Sequence, residues 1–426
     1  MDIPTLSNTQ SDSSPSLTLP QLAAICFTAF TTGLNNLSPI IRPTPPTAPA
    51  THPLFTLTLL STSTGYSLGA ILAAATILPR ILQASASRPR AGLRACWWAS
   101  TLSALALAGG VPLPAWQGYG YDYGTGALWL VALATASSLL LGAAGCVNLA
   151  VAGVLCAAEA RARRSSAAAA VGVVHGLAAL GVVGGAVVRW GRGGHLAMLG
   201  GAVVNGGCLG LAARGGGLGP EKGGKGLHGT SPRMDGWHGF PPPASRCVIL
   251  GALFAFSYQA VAVITPFLVV SALGLPVDRL ELGYVGFWAG ISVGRMRLCL
   301  VAQHVGERQS VFAALVLVPS TQIACWLMPD GVGSVATVAA VTGLLLGPVY
   351  PCALAVCIRG MAEPEEASGM GIITAFGATG GASALVVTGF VAGATGHLVL
   401  QAIASGLFGV MLLCWYALPE GLEAQW

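Results

Sequence analysis

The fifteen carboxylates stand at positions 2, 12, 122, 159, 221, 235, 278, 281, 307, 330, 363, 365, 366, 420 and 423, all at or beyond the edges of long apolar runs. Inside the runs the polar groups are of another kind: Asn35, Asn36, Asn148, Asn205, His175, Tyr258, Gln259, Tyr350 and Thr374. A carboxylate in a low dielectric has a raised pKa and can take up and release a proton; an amide cannot. Among these interior groups His175 suits a proton relay, since an unperturbed imidazole titrates at about 6.5. More simply, it fits a neutral histidine hydrogen-bonded to a carbonyl or a serine, or one lining a cavity. Aromatics and amides in a concave site hold neutral organic solutes by stacking and hydrogen bonds, and they serve as well for bonding between helices. No nucleophile–base pair emerges, so no enzyme is expected. Eleven cysteines are scattered singly, without metal-ligand spacing, so no metal or other cofactor is expected. Gly-Ala-Thr-Gly-Gly at 377–381 follows no strand, which argues against a phosphate cradle.

The elements that carry these groups are apolar helices. The chain of 426 residues is 54% hydrophobic and only 8% charged, with 59 glycines, against roughly 25% charged in a soluble domain. A bilayer crossing takes about 20 apolar residues, and twelve such runs can be traced: 20–41, 54–80, 93–113, 127–157, 165–190, 194–214, 246–274, 281–302, 310–328, 331–358, 368–393 and 395–418. The longest polar stretch, 214–246, holds both lysines and three consecutive prolines, as a flexible linker would. The reading is an all-α polytopic membrane protein: a disordered tail at 1–19, a six-helix bundle at 20–214, a linker at 215–245, a second bundle at 246–418 and a tail at 419–426. With both termini cytoplasmic, sixteen of the twenty basic residues fall on the cytoplasmic side. The positive-inside rule therefore supports that orientation.

Gly286, Gly290 and Gly294 recur every four residues and so share one helix face, where a neighbour can approach closely. Arg295 and Arg297 follow at once and read as the cytoplasmic exit of the eighth span. Two halves of a transporter often repeat one another, and three matches fit that pattern. SLLLGAAGCVNLAV at 138–151 matches GLLLGPVYPCALAV at 343–356 at an offset of 205. TGYSLGAI at 64–71 matches LGYVGFWAG at 282–290, and VGVVHG at 171–176 matches MGIITA at 370–375, setting His175 against Thr374. Trp288 and Trp326 read as packing or interface residues. Gly347, Pro348 and Pro351, with Gly377, Gly380 and Gly381, fit a hinge or static close packing equally.

GYVGFWAGISVGR at 283–295, GER at 306–308, CWLMPD at 325–330, LLLGPVYPC at 344–352 and AFGATGGA at 375–382 resemble the fungal fucose-permease-like group of the major facilitator superfamily. The first half adds GLNN at 33–36, VNLAV at 147–151 and VVHGLAALG at 173–181. The resemblance implies two pseudo-symmetric six-helix bundles around a central cavity, with first and seventh helices lining it, and alternating access. It also implies a cytoplasmic gate motif, Gly-x-x-x-Asp-Arg-x-Gly-Arg-Lys, which is damaged here. After Gly69 there are arginines but no Asp-Arg pair, and Gln303-His304 stands where Asp-Arg is expected. Arg295, Arg297 and Arg308 keep the basic half of the motif, and the acidic half is missing. Proton-coupled relatives place an acid in the first span and often in the fourth and seventh; here those spans offer Asn36, Asn148 and Tyr258-Gln259.

The expected function is secondary transport of a small neutral or weakly polar solute, a sugar or an exported metabolite, with weak proton coupling or none. The chain is expected to act as a monomer in the plasma membrane, with the bilayer and the solute as partners and no nucleic acid. The alternative is a non-transporting sensor or degenerate paralogue on the same fold.

Overall fold

The computed structural model describes residues 17–36, 53–83, 88–109, 126–163, 165–189, 194–214, 246–272, 280–326, 332–361, 363–396 and 398–419. Residues 1–16 of the expected tail at 1–19, the linker at 215–245, and residues 420–426 of the expected tail at 419–426 lie outside them. The described residues form twelve helical rods. In the first half these are α1 (Leu19–Asn36), α2 (Pro53–Leu72) continuing through a π-turn at Ala73–Ile77 into α3 (Leu78–Gln83), α4 (Arg88–Gly109), α5 (Gly126–Ala162), α6 (Ala167–Arg189) and α7 (Gly194–Arg214). The second half holds α8 (Arg246–Ala272), then α9 (Leu280–Val293) continuing through a π-turn at Gly294–Leu298 into α10 (Cys299–Val305). It goes on with α11 (Glu307–Trp326), α12 (Val332–Leu346) and α13 (Val349–Arg359) in one broken rod, α14 (Glu363–Thr395) and α15 (Leu398–Ala417).

Seven stretches among the described residues are long and apolar enough to cross a bilayer, lying within α5, α6, α8, α9–α10, α12–α13, α14 and α15. Large apolar side chains such as Trp98, Leu211, Phe312, Phe390 and Tyr416 stand exposed on the outer surface. That pattern suits a bundle whose solvent is lipid. Successive rods alternate in direction, so α1 begins and α15 ends on one side, here called the terminal side. Glu159 at the end of α5 accepts from the backbone of Leu17 at 2.8 Å, and Arg308 at the start of α11 donates to the carbonyl of Leu418 at 2.7 Å. Both contacts lie on that side.

Helices pack without a hydrophobic drive in lipid, so close approach over small residues does the work. The same glycine notches occur in both halves. A Cβ on Gly65 would meet the Leu139 carbonyl at 2.0 Å, and one on Gly290 the Ala340 carbonyl at 2.0 Å. Gly69 faces Ala143 as Gly294 faces Leu344, and Gly142 faces Thr62 as Gly343 faces Phe287. Gly181 lies over the Phe30 carbonyl as Gly380 lies over that of Phe256. Two consequences follow. The halves are a genuine structural repeat. Its register differs from the sequence matches, however: the packing relates 65 to 290 and 142 to 343, offsets of 225 and 201, where the letters gave 218 and 205. A chain so rich in Gly, Ala and Leu aligns with itself one or two turns out of place. Only the third match keeps its register, since Gly172 packs on Cys299 as Gly371 packs on Ala74.

Most of the residues read as a gate make their contacts within one half. Gly69 serves α2 against α5, and Gly286, Gly290 and Gly294 serve α9 and its π-turn against α12, each within one half. Arg308 ties α11 to the end of α15 and again stays within its half. The motif's acidic position stays Gln303; Glu307, four residues on, is buried and pairs with Arg359 at the end of α13. Sequence spacing hid that pair because it joins residues 52 positions apart.

Candidate functional site

The two halves meet along two seams. In one, α6 packs on α9, its π-turn, α10 and α13; in the other, α14 packs on α2, its π-turn and α3. The first seam holds the one buried charged side chain among the described residues that lies far from a rod end. Arg295, 4% exposed, sits in the π-turn of the α9–α10 rod. It lies ten residues before Val305, about 15 Å inside that end at roughly 1.5 Å per residue. The expected exit position is thus wrong. The rod runs on past the arginines through Leu298, Cys299, Leu300, Val301 and Ala302, which are apolar. Arg297, two residues on, is exposed and points away.

The guanidinium crosses between the halves. Arg295 Nη1 donates to the His175 carbonyl on α6 at 3.1 Å, and Nη2 to the Tyr258 hydroxyl on α8 at 3.4 Å. Its Nε has no partner. Tyr258 is fully buried and donates its hydroxyl to the Leu346 carbonyl at 3.1 Å. That carbonyl ends α12, where Gly347-Pro348 breaks the rod before α13 begins at Val349. Pro351 falls in the first turn of α13, where a missing N–H costs little. The break has a packing cause as well: a Cβ on Gly347 would lie 2.7 Å from the Arg295 backbone nitrogen. So the discontinuity in α12–α13 is the seat of the arginine's own turn.

Around this centre the aromatic groups gather. The Tyr258 and Tyr350 rings stack with centroids 5.6 Å apart, and the His175 ring lies 5.5 Å from Tyr350. Tyr350 also hydrogen-bonds Thr374. His175 and Thr374, equivalent in the repeat, therefore approach one tyrosine from opposite halves. Ser292, one turn before Arg295, donates to the Gly176 carbonyl at 2.9 Å. In the second seam Thr379 and Ser67 approach at 3.4 Å, and Ala70 packs with Ala375 and Ala378. The packing register makes Ala70 the counterpart of Arg295, so the buried charge has no twin.

Of the residues singled out in the sequence, His175, Tyr258, Tyr350 and Thr374 come together here. Gln259 is half-buried beside Gly377 and Gly381, and with Gly380 these glycines bring α14 against α8. Asn35 is buried with an unpartnered Oδ1, about 24 Å along α1 from its start and so deeper than His175. The side chains of Asn36 and Trp326 lie outside those described. Asn148 is engaged within the first half. Its Nδ2 donates to Ser100 Oγ at 3.3 Å, Asn205 Nδ2 donates to the same oxygen at 2.9 Å, and Thr28 donates to Asn205 Oδ1 at 3.0 Å. This network ties α1, α4, α5 and α7 together; two of its members, Thr28 and Ser100, carry no signal in the sequence beyond polarity inside an apolar run. Trp288 packs beside Tyr284 and Phe287. Among the described residues no cluster suited to a metal ion exists. The two carboxylates whose side chains are described, Glu159 and Glu307, stand on the terminal side, paired with Arg163 and Arg359.

No protein-family model matches the chain, and no curated protein matches it. Solved structures do. The crystal structure of the major facilitator superfamily transporter FucP in the outward conformation is similar with a TM-score of 0.61 at 14% identity, over 93% of this chain and 97% of that one. A substituted form of the E. coli fucose:proton symporter FucP is similar with a TM-score of 0.54, also at 14% identity, over 93% and 97%. The fold is the major facilitator fold: an all-α, multi-pass membrane architecture of two six-helix bundles.

Proposed function

We propose that the chain is a secondary transporter that moves a small organic solute by alternating access across its two seams. The observation that carries this reading is the pair of hydrogen bonds from one half to the other, Arg295 to the His175 carbonyl and Ser292 to the Gly176 carbonyl. Such bonds hold the terminal side of the seam closed and must break for it to open. Both acceptors are helix carbonyls that keep their own helical bonds, so losing the extra donor costs each of them little. An opening motion needs contacts of this reversible kind.

Transport is not coupled to protons through a buried acid. The similar fucose:proton symporter is named for its proton, but the two carboxylates whose side chains are described here are paired at the terminal side. The protein works as a facilitator or exchanger, as a monomer in the plasma membrane, with the terminal side cytoplasmic. Cysteines introduced as Ser67→Cys and Thr379→Cys, where the two hydroxyls stand 3.4 Å apart across the second seam, test the motion. Cross-linking them in proteoliposomes is expected to stop counterflow of a solute panel of sugars, organic acids and apolar metabolites, and reduction to restore it. Counterflow that persists through a complete cross-link contradicts alternating access. Silence for every solute before cross-linking favours a non-transporting sensor.

A further inference from the structure

We infer that Arg295 is the recognition site for a carboxylate-bearing solute, a monoanionic organic acid with a flat apolar body. The inference rests on the transport reading and names its substrate class. A charged arginine at the centre of an apolar helix is costly even on insertion scales and is functional by default. Arg295 keeps that cost without an acid: no carboxylate partners it among the described residues, and its Nε has no partner at all. What it does touch are a carbonyl and a phenol, at 3.1 and 3.4 Å. A latch to those two acceptors needs donors and no charge; a neutral glutamine amide offers such donors as well. The full positive charge has a use only when an anion visits.

The guanidinium is also the side chain shaped for that visitor, since its planar fork binds a carboxylate through two parallel N–H donors. In the present conformation one arm of the fork holds the His175 carbonyl of the first half and the other the Tyr258 hydroxyl of the second. Parting the seam frees Nη1, and Nη1 with Nη2, whose own bond to Tyr258 is the longer at 3.4 Å, makes the end-on pair of donors a carboxylate takes. The charge sets the valence at one, because the nearest arginine in sequence, Arg297, is exposed and turned away. The stacked rings of Tyr258 and Tyr350 sit next to the fork and offer a flat wall to the body of the solute.

The test uses the purified full chain and a panel of monocarboxylates from acetate to benzoate, each paired with its amide, an isostere without the charge. Thermal melting reads binding and counterflow reads transport. At least one acid is expected to stabilise the protein, with its amide about 30-fold weaker or more, the loss that follows when one partner of a buried charged pair is removed. Arg295→Gln is expected to erase the preference for acid over amide. Arg295→Lys, which keeps the charge but not the fork, is expected to retain part of it and shows that the site still folds. The inference is overturned if no acid is preferred to its amide, or if the preference survives in Arg295→Gln. Melting needs no transport, so the two readings separate. Seam cross-linking that stops counterflow of neutral solutes, with no preference for acids, sinks this inference alone.

Discussion

Adding a single methyl group at Gly172 should push the terminal side of the bundle open. A Cβ there would lie 2.6 Å from the Arg295 carbonyl oxygen and 3.0 Å from Cys299 Sγ, whereas ordinary contact begins at 3.4 Å. The nearer atom is backbone and cannot swing aside, so α6 and the π-turn must part by several tenths of an ångström. Overpacking of this size costs about 1–3 kcal/mol. The cost falls only on the conformation in which the two halves touch, so Gly172→Ala should shift the closed-to-open ratio by roughly 5- to 150-fold. Gly371→Ala strikes the equivalent contact, 2.4 Å from Ala74 Cβ, and should act in the same direction. Spin labels at Ser165 and His304, both exposed near the terminal side, report the separation once the exposed Cys208 is replaced. Electron–electron distance measurement should show a longer component grow in Gly172→Ala and grow further in the double substitution. An unchanged distribution, or the same change from Gly290→Ala within one half, would refute the assignment of Gly172 to a moving seam.

Gly290→Ala itself should lower the melting temperature, because its Cβ would meet the Ala340 carbonyl at 2.0 Å at a cost of about 1–3 kcal/mol or more. Gly207→Ala, which meets nothing within 4 Å, should be neutral or slightly stabilising in the same melting assay, since alanine in a helix gains about 0.5–1 kcal/mol over glycine. Glu307→Gln leaves Arg359 without its buried partner, and a double-mutant cycle with Arg359→Gln, followed by melting, should return a coupling of about 0.5–3 kcal/mol. Asn205→Ala removes the donor to Ser100 and the acceptor for Thr28. It should destabilise by about 1–3 kcal/mol, seen by melting, while leaving the distance between the seam labels unchanged.

The rods were legible because a bilayer crossing imposes a long apolar run, and their observed bounds follow those runs closely from Pro53 to Ala417. The face of Gly286, Gly290 and Gly294 was legible too, since a spacing of four is a direct reading of helix geometry; its partner, α12, was not. Arg295 was misplaced because an arginine at the end of a glycine-rich run looks like a span's exit. The signal against that reading was present in Leu298 to Ala302, apolar residues that carry the rod more than a further turn. Tertiary pairing stayed hidden wherever partners are far apart in sequence, as with Glu307 and Arg359 or Thr28 and Asn205. The clustering of His175, Tyr258, Tyr350 and Thr374 could be hoped for from their shared depth in different spans. Their convergence on a buried cation could not.

An experimental density map that resolves side chains at the first seam decides the matter most directly. The Arg295 guanidinium is expected inside the bundle, donating to the His175 carbonyl, with no aspartate or glutamate oxygen in reach. An Arg295 side chain turned out to the bundle surface, or one paired with an acidic residue of this chain, would contradict that placement.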